Sequence, residues 1–208
     1  MRDRSPEERV GLDVHELATP LLQATSLAVA RGRVLAVRGP SGVGKTLLLR
    51  AIADLDPSTG SVRLDGVERW AMPGSAWRRR VRYVAAESGW WDDQVGDHFA
   101  DPAAQAEPLV RLGLPAAAMR WPVTRLSTGE RQRLAFLRAI EDRPDVLLLD
   151  EPTAGLDAAA EAAVEALVRE RLAAGTAVVL VTHDDAQERR LAGGRLVLTA
   201  RPPVGAAA

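Results

Sequence analysis

The chain contains no cysteine among its 208 residues. That excludes a disulfide framework and any thiolate metal site, and it fits a cytoplasmic chain. Charge of one sign is also lacking: 27 basic against 28 acidic residues leave a net charge of -1. Such a balance gives no general pull toward nucleic acid or anionic lipid, and no nucleic-acid partner is expected. No apolar run approaches the roughly 18 residues a membrane helix needs. Met1 to Val10 is charged, without the apolar centre of a signal peptide. A membrane role would have to come through a partner. No internal repeat is present.

What is there is an alternation of short apolar runs with helical patterns. Residues 1–10 read as a polar arm and 201–208 as a disordered tail. Leu21 to Ala30 reads as extended, followed by a turn at Arg31-Gly32. Val34–Val37, Val81–Val84, Val146–Leu149 and Ala177–Val181 read as buried strands, and Leu196–Thr199 as a last one. Ser61–Leu64 is a strand ended by Asp65-Gly66. Helices are expected over Lys45–Ala53, Thr128–Ile140, Ala158–Leu172 and Asp184–Leu191. Glu87 to Arg125 holds several prolines, short helical patches and no strong strand, and reads as a small helical lobe. The alternation predicts an α/β domain with a mostly parallel sheet covered on both faces.

Gly39-Pro40-Ser41-Gly42-Val43-Gly44-Lys45-Thr46 follows a strand and opens a helix. It matches the phosphate-loop pattern G-x-x-x-x-G-K-[ST] in its required context. The glycines Gly39, Gly42 and Gly44, with Ser41 between them, let backbone N–H groups converge on phosphate oxygens. The helix N-terminus adds the positive end of its dipole. Lys45 can reach the β- and γ-phosphates of ATP, and Thr46 can ligate Mg²⁺. Val146-Leu147-Leu148-Leu149-Asp150-Glu151 places two carboxylates where a buried strand leaves the sheet, the edge at which open α/β sheets bind ligands. Asp150 suits the Mg²⁺ shell, directly or through water. Glu151 suits activation of the attacking water as general base.

Leu126-Ser127-Thr128-Gly129-Glu130-Arg131-Gln132-Arg133 opens a further helix, and Ser127 with Glu130 makes a capping-box pattern. Gly39–Thr46, Leu126–Gln132, Val146–Glu151, Ala154–Asp157 and Thr182-His183, taken together and in order, resemble the nucleotide-binding subunit of an ATP-binding cassette (ABC) transporter of compact bacterial type. The resemblance runs from about Gly11 to Leu198. It implies a P-loop NTPase of the ABC ATPase kind, occupying residues 11–200, with a small antiparallel β part and a short helical lobe at about 87–140. It further implies two such domains closing head to tail around two ATP molecules. Ser127 and Gly129 would contact the γ-phosphate held by the partner, and Asp157 lies in the segment resembling the inter-subunit loop. His183 resembles the switch histidine at the γ-phosphate. With one copy of each motif, the chain is expected to pair with itself or a paralogue. It would sit peripherally on the inner face of the membrane through a separately encoded integral-membrane subunit.

Four departures stand out. Ala86 lies where the family usually has a glutamine, and Glu87 is the nearest polar substitute. No aromatic residue for stacking on adenine is evident upstream of the phosphate loop, His15 being the nearest ring. Thr128 stands where glycine is commoner. The lobe is short, resembling subunits of small bacterial transporters, those linked to metal-ion export among them. Trp90 and Trp91 fall near the groove that in the family receives a helix of the membrane subunit, although packing inside the lobe accounts for them as well. Arg78, Arg79, Arg80 and Arg82 read as a solvated face or turn. The expected activity is Mg-ATP hydrolysis, with Glu151 as base and Lys45, Ser127 and His183 stabilising γ-phosphate charge. Two other readings remain at this point. One is a soluble ATPase of the same superfamily, against which stand the missing coiled-coil insertion and second cassette. The other is a nucleotide-responsive regulatory module, against which stand Glu151 and His183.

Overall fold

The computed structural model describes residues 10–199; the expected tail, 201–208, and residues 1–9 of the expected arm lie outside them. Five strands form a wholly parallel sheet in the order β6-β7-β8-β3-β9. They are β3 (Val34–Arg38), β6 (Val81–Val84), β7 (Val146–Asp150), β8 (Ala177–Val181) and β9 (Gly194–Val197). The unbroken apolar runs have a simple cause. Every residue of β7 and β8 is buried. Along β7, Val146 and Leu148 enter one core while Leu147 and Leu149 enter the other. Val179 and Val178 of β8 divide in the same way. Side chains alternate across the sheet, so both faces need apolar residues.

One core lies between this sheet, helix α1 (Lys45–Ile52) and a second, antiparallel sheet ordered β2-β1-β4-β5. The latter's strands are β1 (Val10–Thr19), β2 (Leu22–Ala30), β4 (Thr59–Leu64) and β5 (Val67–Glu68). β1, at ten residues the longest strand, escapes the sequence reading. Its inward residues Leu12, Val14 and Leu17 are spaced by two and then three, because the register shifts between Val14 and Leu17, where Glu16 adopts φ 47°. A bulge of this kind destroys the period of two that announces a strand. The last strand is likewise displaced, ending at Val197 rather than covering Leu196–Thr199.

The basic run, read as a solvated face or turn, is a partly solvated face on a helix and the start of β6 rather than a turn. Gly74–Arg80 forms a helix, α2, that buries Trp77 completely, and the indole Nε1 donates to the Ile52 carbonyl at 2.9 Å. Arg78 pairs with Asp54, Arg80 with Asp145 and Arg82 with Asp142. Asp145 also receives Arg31, which pairs with Asp65 of the antiparallel sheet's β4–β5 turn, so one carboxylate ties the two sheets together.

The other core joins the parallel sheet to α4 (Thr128–Glu141), α5 (Ala158–Ala173) and the lobe. Before α4 the lobe is mostly single 3₁₀ turns, at Val95–His98, Ala103–Gln105, Ala116–Arg120 and Val123–Arg125, with one six-residue α-helix, α3 (Ala106–Arg111). Prolines set this texture: Pro102, Pro115 and Pro122 each immediately precede a turn, where a fixed φ favours entry and a missing N–H costs nothing. A last helix, α6 (Asp185–Leu191), follows β8.

Candidate functional site: a phosphate-binding cavity

The carboxyl ends of β3, β7 and β8 open on a cavity of about 340 Å³. Ser41, Gly42, Gly44, Lys45, Thr46, Asp150, Glu151 and His183 line it, with Ala86. Eight of the expected residues thus converge, although they lie up to 142 positions apart. The loop entering α1 needs its glycines. Gly39 has φ 149°, and a Cβ there would meet the Leu198 carbonyl at 2.7 Å. Gly44, at φ 107°, is the residue preceding α1, which has no side-chain cap and no acid in its first turn. The N–H groups that helices usually satisfy with a capping side chain are left to a ligand, and the dipole favours an anion.

The Lys45 ammonium donates to the Gly39 and Pro40 carbonyls at 2.9 and 3.1 Å. This folds its stem back over the loop and leaves its third proton for a phosphate oxygen. Thr46 Oγ1 donates to Asp150 Oδ2 at 2.7 Å, and the Tyr83 hydroxyl donates to the same oxygen at 3.1 Å. Asp150 is buried. Burial, followed by the neighbouring Asp150 charge, pushes the Tyr83 phenol well above its ordinary range, so it stays a donor. A hydroxyl and a carboxylate beside a phosphate cradle are the hard oxygen donors that suit Mg²⁺, which needs few protein ligands when phosphates and water supply the rest. Among the described residues no three His, Cys, Asp or Glu side chains cluster to hold a metal alone.

Glu151 is held differently from Asp150 beside it. It adopts φ 51°, the left-handed region, which costs a non-glycine residue about 1 kcal/mol. Both its backbone groups are pinned: its N–H donates to Val181 O at 2.9 Å, and its carbonyl accepts from Gln132 Nε2 at 2.6 Å. The turn swings the carboxylate toward His183, whose backbone N–H donates to Oε2 at 3.3 Å. Oε1 lies 3.3 Å from His183 Nε2 but makes no hydrogen bond. Glu151 Oε1 is thus buried without a donor and keeps its capacity to accept a hydrogen bond. The His183 loop is fixed from below by Arg38, which donates to Thr182 O at 2.7 Å and pairs with Glu188 and Asp185.

Ser127, Gly129 and Asp157 lie outside this cavity lining. Ser127 caps α4 in a full capping box with Glu130, and Asp157 caps α5 through Ala160 N–H at 2.8 Å. Hydrogen bonds from Ser127 hold the Glu130 carboxyl below its usual range. At residue 86 a methyl group faces the cavity, and Glu87 is exposed and not part of its lining. His15 is an exposed residue of β1.

Two functional residues escaped the sequence reading. Tyr83 looks like a core aromatic in a four-residue strand, and Gln132 looks like one more polar residue on α4. Gln132 is buried, and burial of an amide inside an apolar helix face is the signal that could have singled it out. The tryptophans divide: Trp90 packs against the lobe core, while Trp91 is exposed, and the Arg138 guanidinium lies 4.8 and 4.7 Å from their rings. Buried His98 accepts from the N–H groups of Trp91 and Asp92 at 3.0 and 3.1 Å and fixes their loop.

Comparison with known proteins agrees with this geometry. The family model described as ABC transporter matches residues 22–154. The hemin import ATP-binding protein of Streptomyces coelicolor is 40% identical, over 84% of this chain and 68% of its own length. The phosphate import ATP-binding protein of Natronomonas pharaonis is 36% identical, over 86% of this chain and 72% of its own. A solved structure described as the ATP-binding subunit of an ABC transporter has the same fold, with a TM-score of 0.82 and 23% identity over 90% of this chain and 85% of its own. The phosphate loop, the acidic strand end and these relatives agree: the chain belongs to the ABC transporter family, whose ATP-binding subunits hydrolyse ATP to drive transport through a separate membrane subunit.

Proposed function

We propose that the chain hydrolyses Mg-ATP in a head-to-tail dimer of two such domains, with itself or a paralogue, and so drives an integral-membrane subunit. The observation that carries this reading is the division of the site. The phosphate loop, Asp150, Glu151 and His183 surround one cavity, while Ser127, Gly129 and Asp157 lie outside its lining. The residues fit their tasks. The N–H groups entering α1 and Lys45 receive the β- and γ-phosphates. Mg²⁺, held by Thr46 with Asp150 behind it, would supply positive charge to those phosphates. Glu151 takes a proton from the attacking water. His183, held by Arg38, orients Glu151 and donates to the γ-phosphate. Ser127 and Gly129 of the opposite domain close over that phosphate from the other side. The ABC ATPase domain is assigned to residues 11–200, with the lobe at about 87–140.

Among the described residues no helix is long and apolar enough to cross a membrane. We place attachment on the partner, at the inner face, with the groove lined by Trp91 and Arg138 as the docking region. Both relatives named above are import proteins, and import is the direction we infer. Glu151→Gln removes the base while keeping shape. With Mg-ATP it should run as a dimer on size exclusion and lose about 1,000-fold in turnover. A Glu151→Gln protein that binds ATP yet stays monomeric would overturn the closed-dimer reading.

A further inference from the structure

Asp150 is buried, and one of its oxygens, Oδ2, takes two hydroxyl donors, Thr46 Oγ1 at 2.7 Å and Tyr83 at 3.1 Å. The two arrive from different elements: Thr46 from the first turn of α1, and Tyr83 from β6, which pairs with β7 directly opposite Leu148. A single donor leaves a carboxylate free to turn about its last torsion, whereas two from different directions fix its plane. Nothing else from β6 or the turn after it reaches the metal-side carboxylate: Ala86 offers a methyl group, and Glu87 is exposed outside the cavity lining. We propose that Tyr83 is a positioning residue for the Thr46–Asp150 pair, its hydroxyl setting the carboxylate plane that fixes the metal-binding hydroxyl. The proposal rests on the reading of that pair as the Mg²⁺ site.

Such outer partners of a metal ligand are commonly worth 10- to 100-fold in metal affinity. The purified chain is compared with Tyr83→Phe and Asp150→Asn in two measurements. Mn²⁺ affinity of the nucleotide-loaded protein is read by electron paramagnetic resonance, and nucleotide affinity is read separately in EDTA. Tyr83→Phe should weaken Mn²⁺ about tenfold and leave metal-free nucleotide affinity unchanged. Equal losses in both measurements would make Tyr83 a structural residue only and overturn the proposal. If Asp150→Asn weakens Mn²⁺ and Tyr83→Phe does not, the metal-site reading stands and the Tyr83 proposal falls. If neither substitution affects Mn²⁺, both fall.

Discussion

The starts of α1 and α4 are both helix N-termini with a phosphate-related assignment, yet they are built in opposite ways. α1 is left open: Gly44 precedes it, no side chain caps it, and no acid stands in its first turn. α4 is closed on itself: Ser127 accepts from Glu130 N–H at 3.3 Å, and Ser127 N–H and Oγ both donate to Glu130 Oε2 at 2.8 and 2.9 Å. The first is prepared for an anion before one arrives. The second carries its own carboxylate, with which a phosphate would have to compete in the proposed dimer. An uncapped helix start is costly alone, so the open end belongs where ligand always returns, and the self-capped end where contact with ligand is intermittent.

The sharpest way to break the comparison is at the open end. Lys45→Ala should weaken ATP about 100-fold, the worth of a charge-assisted bond of roughly 3 kcal/mol. Titration with a fluorescent nucleotide measures it, and undiminished binding would mean that the open helix end holds phosphate without Lys45. A middle-sized effect is expected at Ala86→Gln, which puts a hydrogen-bonding amide where a methyl group faces the cavity. Steady-state turnover should change by about three- to tenfold, on the scale of one ordinary hydrogen bond; identical turnover would show that the position is indifferent to chemistry. The smallest effect is at the closed end. The Glu130 carboxyl is held below its unfolded value by hydrogen bonds from Ser127. Its contribution is therefore complete above the ordinary carboxylate range and is lost as pH falls through the lowered value. Glu130→Gln should lower thermal stability near neutral pH by about 1 kcal/mol or less, with the gap closing in acid. A gap that stays constant with pH would show that the carboxylate charge contributes nothing to the cap.

Legibility in the sequence follows the same physics. β7 and β8 can be read directly, because burial on both faces demands unbroken apolar runs. The phosphate loop can be read because only glycine tolerates φ 149° against the Leu198 carbonyl. β1 cannot, because the shift at Glu16 breaks its alternation. The lobe is legible as a region but not in detail, since single 3₁₀ turns carry no repeating period for a pattern to show. Eight of the site residues named from motifs line one cavity and Ser127, Gly129 and Asp157 do not, while Tyr83 and Gln132 are defined by partners 67 and 19 positions away that no local spacing reveals.

Gln132 has one more consequence. It sits one turn along α4 from Ser127, and its amide holds the backbone of Glu151 in the left-handed turn. In the proposed dimer the first turns of α4 would join the neighbouring domain's phosphate, at Ser127, to this domain's own base, through Gln132. A push at Ser127 would then pass to Glu151 through the 2.6 Å bond from Gln132. Two domains linked this way would not fire independently, and we expect their turnover to be cooperative in ATP concentration.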